Sequence, residues 1–127
     1  MRLDHAVLLA ADPAATTAWY RRILGAEIEE LAYGRIALVL GDARLHVQFP
    51  TSTPNPRPVA PAGPGASDFC LVWDGTAAEA VAHLERHGVA IVAGPVDRQG
   101  SAGIGSSVYC HDPDGNLVEL ISYAASV

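Results

Sequence analysis

The chain has 127 residues, 14 of them acidic and eight of them scattered arginines, so its formal net charge is −6. This length predicts one domain with its own core, and the acidic balance argues against nucleic-acid binding, since phosphate contacts supply most of that affinity. The apolar run at residues 6–11 is far short of the ~20 residues of a membrane span, so we expect a soluble cytoplasmic protein with no membrane partner.

The first part of the chain predicts a strand, a helix and three further strands. The apolar segment LDHAVLLAAD is the first strand. Apolar residues at helical spacing follow from Pro13 to Leu24, with Trp19, Ile23 and Leu24 on one face. Gly25 then supplies the left-handed stop preferred after a helix. A hairpin turn at Gly41 separates the strands RIALVL and ARLHVQF.

Residues 50–67 differ in composition from the rest of the chain. They contain six of the nine prolines and almost no residues that could form a core. Proline lacks a backbone N–H and fixes φ, so this segment cannot be regular helix or inner strand. We therefore predict a partly extended linker.

The second part repeats the pattern of the first. The strand SDFCLVWDGT precedes a predicted helix from Thr76 to His87, which Gly88 ends. The stretch from Gly94 to Gly105 is glycine-rich, and its segment GSAGIG (Gly100 to Gly105) predicts a mobile loop that could act as a lid. The strands SSVYCH and NLVELIS follow, separated by a tight turn at residues 113–115.

The repeat is the most informative feature of the sequence. Gly25 and Gly88 are 63 residues apart, and the closing turns are 73 apart, so the second half carries about ten extra residues. We predict an α+β fold of paired βαβββ modules that form one open cup. Module one is residues 1–49, the linker 50–67 and module two 68–127. The modules are either from one chain or exchanged between two chains of a dimer.

Four potential metal ligands occupy repeat-equivalent positions. His5 corresponds to Asp68 at the offset of 63, and His46 corresponds to Glu119 at 73. Imidazole and carboxylate together suit divalent first-row metals. Glu119 lies in an apolar closing strand, where an unpaired carboxylate is costly to bury. Asp68 has an alternative role, because an Asp that follows a Gly/Ser loop also serves to satisfy turn amides.

These segments resemble the vicinal oxygen chelate superfamily of glyoxalase I, fosfomycin- and bleomycin-resistance proteins and extradiol dioxygenases. Small glyoxalase-domain members, often labelled virulence-protein-like, are the most similar. The likeness extends over nearly the whole chain and rests on LDHAVLL, WYRRILGAEI, LHVQ, GPVDRQGSAGIGSSVYCHDPDGN and NLVELISY. It implies that the cup is centred on a divalent metal held by His5, His46, Asp68 and Glu119. Asp68 departs from the usual histidine, which leaves the coordination number and the metal open among Ni, Co, Zn, Mn and Fe(II).

Three residues of the second module are candidates for substrate binding. Arg98 lies near the glycine-rich stretch and could pair with an anionic group, although a surface role is also open. Tyr109 and His111 alternate on one strand face, where they either line the pocket or stay structural. Glu119 is in addition the candidate general base.

The function implied is a metal-dependent, glyoxalase-like lyase or isomerase, in which the metal chelates two neighbouring oxygens of a small-molecule substrate. Two His and one carboxylate are also the ligand set of non-haem Fe(II) oxygenases, which keeps a ring-cleaving dioxygenase open. A non-catalytic binding protein of bleomycin-resistance type and a catalytically silent copy are the remaining alternatives. We also expect a homodimer, because paired modules with open sheet edges gain by association.

Overall fold

The computed structural model describes residues 1–125 and contains the βαβββ order twice, which confirms the predicted α+β fold. The first copy is β1 (Ala6–Leu9), α1 (Pro13–Leu24), β2 (Glu27–Glu30), β3 (Ile36–Leu40) and β4 (Ala43–Gln48), with a short 3₁₀ turn at Ala32–Gly34. The second copy is β5 (Asp68–Val72), α2 (Ala77–Arg86), β6 (Ala93–Gly100), β7 (Gly103–His111) and β8 (Leu117–Ser122).

The chain divides into two compact units. One comprises Met1–Ser67 together with Asp112–Asn116, and the other comprises Asp68–His111 and residues 117–125. Each unit has a four-stranded mixed sheet, in the order β1-β4-β3-β2 in the first and β5-β8-β7-β6 in the second. In both sheets the first and last strands of the module pair in parallel, and the other neighbours are antiparallel.

Helix α1 begins and ends as the sequence predicts. The side chain of Asp12 accepts hydrogen bonds from the amides of Ala14 and Ala15, which satisfies two free donors of the first turn. Gly25 ends the helix with φ 67°. Its buried face contains Thr16, Tyr20 and Ile23 rather than being centred on Trp19, which is only partly buried.

Tyr20 is buried, and its hydroxyl finds a hydrogen-bond partner in a carboxylate of the turn that joins β7 and β8. That hydroxyl donates to Oδ2 of Asp112 at 2.7 Å, and Nδ2 of Asn116 donates to the same oxygen at 2.7 Å. Oδ1 of Asp112 accepts from the amides of Asp114 and Asn116. Four donors therefore compensate the burial of one carboxylate, which confirms and explains the tight turn predicted at residues 113–115.

The glycine-rich stretch is not the mobile loop that we predicted. It forms the β6–β7 hairpin, in which Gly100 pairs with Gly103 and Arg98 pairs with Gly105. A Cβ on Gly94 would lie 2.2 Å from the carbonyl oxygen of Ser107, and one on Gly105 would lie 2.7 Å from Cγ1 of Ile121. These glycines allow neighbouring groups of the sheet to approach closely, and glycine within a strand can serve this purpose as well as forming a loop.

Helix α2 is two residues shorter than predicted, because Thr76 caps its first turn and His87 follows its last turn. Its buried residues are Ala77, Ala80 and Leu84, and it packs on the sheet of the second unit. Residues 50–67 contain turns but neither helix nor strand, as their proline content predicts. Within residues 1–125, no helix is long and apolar enough to cross a membrane.

Candidate functional site

The first unit brings its two predicted ligands together. His5 directly precedes β1, and His46 lies on β4 opposite Val7 of β1. Their rings stack with centroids 3.7 Å apart and planes inclined by 13°. The alternation of side chains along the paired strands puts His5, Val7 and His46 on the same face of the sheet.

Asp4 selects the tautomer of His5. Oδ2 of Asp4 lies 2.7 Å from Nδ1 of His5. A carboxylate oxygen only accepts, so Nδ1 carries a proton, and in the neutral imidazole the lone pair then lies on Nε2. This carboxylate–histidine pair is the arrangement that commonly orients histidine ligands of metals.

His46 is held in its neutral form. Burial is the main reason that the pKa of His46 lies below its usual value, and neighbouring positive charge adds to the effect. That charge comes from His5 in its protonated form, from Arg35 and from Arg44, whereas Asp4 acts in the opposite direction. A neutral ring keeps a nitrogen lone pair available for a cation.

A cavity of about 530 Å³ adjoins the histidine pair within the first unit. Its volume is in the usual range for small-molecule sites. The lining combines three kinds of side chain: the charged Arg35, the hydroxyls of residues 51–53, and an apolar group formed by Leu31, Ile36 and Phe49. This cavity can therefore receive a small molecule directly beside His5 and His46.

The second unit groups polar side chains around Glu119. In its sheet, Glu119 of β8 is opposite Cys70 of β5 and Tyr109 of β7. The hydroxyl of Ser107 donates to Oε2 of Glu119 at 2.6 Å, a short bond of the charge-assisted kind. The carboxylate is thus fixed at one oxygen by a buried serine.

The cluster around Glu119 contains two further neutral groups. Burial and the neighbouring carboxylate of Glu119 raise the pKa of Cys70 to about 11, so its thiol is protonated at physiological pH. Burial also raises the pKa of Tyr109, although a hydrogen bond from Arg98 opposes the shift. Both groups are therefore uncharged next to one carboxylate.

The three predicted substrate residues have different surroundings. Nε of Arg98 donates to the hydroxyl of Tyr109 at 3.1 Å, and its guanidinium lies 5.7 Å from the centre of that ring. Tyr109 is in turn the cross-strand neighbour of Glu119. His111 is exposed at the end of β7, opposite Leu117 of β8. It lies two residues after Tyr109 on β7, as Leu117 lies two residues before Glu119 on β8.

Asp68 is exposed at the start of β5, also opposite Leu117. Within residues 1–125 its carboxylate accepts no hydrogen bond, and the preceding amide, of Ser67, donates instead to Oδ1 of Asn116 at 2.9 Å. The alternative role of satisfying the loop amides is therefore filled by another side chain.

The predicted metal ligands are divided equally between the units, with His5 and His46 in one and Asp68 and Glu119 in the other. In the part of the chain that the structure describes, no group of three His, Cys, Asp or Glu side chains is assembled to hold a metal ion. The donor types themselves fit a divalent cation, because the first unit offers imidazole nitrogens and the second offers carboxylate oxygens.

The sequence interpretation missed four side chains that contact or adjoin these groups: Asp4, Arg35, Cys70 and Ser107. Two of them could have been found from the sequence. Asp4 is adjacent to His5, and Cys70 lies two residues after Asp68, on the same face of the predicted strand. Ser107 depends on the register of β7 and β8, which a single sequence does not specify. Arg35 depends on the local conformation of the 3₁₀ turn that precedes it.

Comparisons with known proteins agree with this fold. The profile described as "Glyoxalase/Bleomycin resistance protein/Dioxygenase superfamily" matches residues 2–120. Glyoxalase domain-containing protein RDO1 of Mycosarcoma maydis is 38% identical over 121 residues, which are 95% of this chain and 68% of that protein. Virulence protein STM3117 of Salmonella typhimurium is 33% identical over 96% of this chain and 84% of its own length.

Solved structures give the same result. The crystal structure of STM3117 has a TM-score of 0.90 at 32% identity and covers 98% of both chains. Lactoylglutathione lyase from Agrobacterium tumefaciens has a TM-score of 0.71 at 25% identity, with 96% of this chain and 93% of that chain covered.

Proposed function

Because the chain belongs to the glyoxalase/bleomycin resistance protein/dioxygenase superfamily, we propose that it is a cytoplasmic, metal-dependent enzyme of glyoxalase-like lyase or isomerase type. Its substrate is a small molecule with two neighbouring oxygens. The metal is one of Ni, Co, Zn, Mn and Fe(II), and its ligands are His5, His46, Asp68 and Glu119. When bound, such an ion supplies Lewis-acid stabilisation of negative charge on a substrate oxygen.

The observation that carries the proposal is the histidine pair with its carboxylate. Asp4 holds the proton of His5 on Nδ1, so Nε2 presents its lone pair. The ring of His46 stacks on that of His5 and is neutral. A purely structural histidine pair has no need of a carboxylate that selects one tautomer, whereas a metal-binding pair does.

Glu119 is the catalytic base in this proposal. The Ser107 hydroxyl holds Oε2 in place, and the Glu119 carboxylate accepts the proton taken from the substrate. Tyr109 accepts a hydrogen bond from Arg98 and its phenol proton is directed at the Glu119 carboxylate, which places a neutral proton donor beside the base. His111 extends the same strand face and contacts a more distant part of the substrate.

Asp68 decides between two reaction classes. As a fourth ligand it gives two carboxylates that balance a divalent charge and leave two positions of an octahedron, which favours redox-silent chemistry. Without it, two His and one carboxylate leave three positions, enough for a catecholate and dioxygen on Fe(II). The Ser67 amide donates to Asn116 rather than to Asp68, which removes one competing role for the Asp68 carboxylate and favours the four-ligand arrangement, and hence the lyase or isomerase.

The test measures reaction class with metal-free protein reloaded separately with each of the candidate ions. Turnover of hemithioacetals is followed spectrophotometrically, and oxygen uptake is followed with a panel of catechols. We expect hemithioacetal turnover with a redox-silent ion, a loss of at least 100-fold in Glu119→Gln as expected for a general base, and unchanged rates in Glu85→Gln, a matched change on the exposed face of α2.

Two results would reject the proposal. Stoichiometric oxygen consumption with ring cleavage by the Fe(II) protein would identify an extradiol-type dioxygenase. Tight binding of a drug by the metal-free protein, with no turnover under any condition, would identify a non-catalytic protein of bleomycin-resistance type.

A further inference from the structure

The cavity of the first unit has an unbalanced charge. Arg35 lines it, and among residues 1–125 its Nε makes a single, long hydrogen bond of 3.4 Å to the carbonyl oxygen of Ala32. In the described part of the chain, the salt bridges are Asp4–His5 and Glu29–Arg44, so the guanidinium of Arg35 has no carboxylate partner. No residue found to line the cavity is acidic.

Neutral donors accompany this charge. The hydroxyl oxygen of Ser52 accepts from the amide of Phe49 at 3.0 Å, so its own proton is available for a further acceptor. Thr51 and Thr53 flank it on the same cavity wall. A guanidinium fork with hydroxyl donors is the chemistry that binds carboxylate and phosphate oxygens.

An unusual aromatic residue, Tyr33, is among those that line the cavity. Tyr33 is 98% exposed and adopts φ 62°, ψ 33°, a left-handed conformation that is costly for a bulky side chain. Strained residues of this kind concentrate at ligand clamps. An exposed ring gives no packing energy in return, so a ligand that uses the ring would account for its presence there.

We propose that this cavity binds a small organic oxyanion, a carboxylate or phosphate attached to an apolar body. Arg35 pairs with the anionic group, and Tyr33 covers the apolar body against Leu31 and Phe49. This inference deepens the proposed function, because it makes the substrate beside His5 and His46 an anion. The binding step itself requires no metal.

The test is isothermal titration calorimetry on protein stripped of metal, with benzoate, phenyl phosphate and neutral benzamide as probes. We expect at least one of the two anions to bind at least tenfold more tightly than benzamide, and their ratio distinguishes carboxylate from phosphate. Arg35→Gln should weaken the preferred anion roughly tenfold, as expected for a lost charge-assisted bond. Arg86→Gln, which removes the same charge from α2, should leave the dissociation constant unchanged.

A second variant separates binding from structure. Tyr33→Gly relieves the left-handed backbone and removes the ring, so it should weaken binding several-fold while the melting temperature stays equal or rises. Equal affinity for benzoate, phenyl phosphate and benzamide, or unchanged binding in Arg35→Gln, would overturn the inference. Because no metal is present, that result would leave the proposed function to be judged by turnover alone.

Discussion

Asp4 illustrates how an exposed residue can influence a site. Its side chain is 96% exposed, and its pKa is lowered chiefly by the hydrogen bond with His5. A bond at this exposure contributes little to the stability of the fold, because solvent screens it. Its effect is instead to select which nitrogen of His5 carries the proton.

Replacing Asp4 by Ala therefore tests orientation rather than folding. We expect the metal affinity to fall about tenfold, the lower end of the range for partners of ligating histidines, while the melting temperature changes little. Competition with a chelator of known affinity measures the first quantity. Asp42→Ala, in the exposed turn between β3 and β4, is the matched control. An unchanged affinity in Asp4→Ala would show that the bond has no role in binding.

The residues of the site were predictable to different degrees. His5 and His46 follow from the internal repeat, because equivalent positions of duplicated modules share a face of their sheets. The internal repeat does not point to Arg35. It enters the cavity only through the 3₁₀ turn at Ala32–Gly34 and the left-handed Tyr33, a local conformation that the sequence pattern does not reveal.

At the level of secondary structure, the β7–β8 turn is stabilised by a single buried side chain. Asp112 is 6% exposed and accepts from four donors, one of which is the hydroxyl of Tyr20. Removing that hydroxyl leaves a buried carboxylate with one donor fewer. Buried hydrogen bonds to charged groups are worth roughly 1.5–3 kcal/mol.

Tyr20→Phe should accordingly lower the free energy of unfolding by about 1.5–2 kcal/mol, the lower part of that range, because three donors remain. Urea denaturation measures the change. Tyr33→Phe removes a hydroxyl from a fully exposed ring and should lie within about 0.5 kcal/mol of the parent protein. Equal stability of the two variants would contradict the role assigned to the Tyr20 hydroxyl.

The β6–β7 hairpin makes a second prediction at this scale. A Cβ on Gly105 would lie 2.7 Å from Cγ1 of Ile121 and 2.8 Å from the carbonyl oxygen of Ser122. Gly105→Ala should cost about 1–3 kcal/mol, as overpacking does. Gly63→Ala meets nothing within 4 Å and should be neutral in the same denaturation experiment. A neutral Gly105→Ala would show that the strands do not approach so closely.

The same hairpin shows why part of the fold escapes prediction from the sequence. Helices α1 and α2 have apolar periodicity, caps and terminal glycines, which are local signals. The stretch from Gly94 to Gly105 has the composition of a loop, and only the partners across the sheet reveal that its glycines make room for Ser107 and Ile121. That information is non-local, so it is absent from any one segment.

For the whole molecule, the open sheet edges are the feature with the clearest consequence. In the described residues, each four-stranded sheet ends in two edge strands, β1 and β2 in one unit and β5 and β6 in the other. Exposed edges favour pairing with another chain. Val7 on β1 and Val72 on β5 are exposed apolar residues on two of these edges.

We therefore expect a homodimer, since two-fold association is the commonest oligomeric symmetry. Sedimentation equilibrium should give twice the chain mass of 13.3 kDa at micromolar concentration. A single species of the chain mass over that whole concentration range would contradict the expectation.

The measurement that tests the account most directly is the metal content of untagged protein, determined by elemental analysis for the parent chain and its variants. The parent should hold a divalent metal in stoichiometric amount. The variants His5→Ala, His46→Ala and Glu119→Ala should each bind it at least tenfold more weakly, whereas His87→Ala, which removes an imidazole beyond α2, should retain it. Full metal content in both His5→Ala and Glu119→Ala would contradict the account.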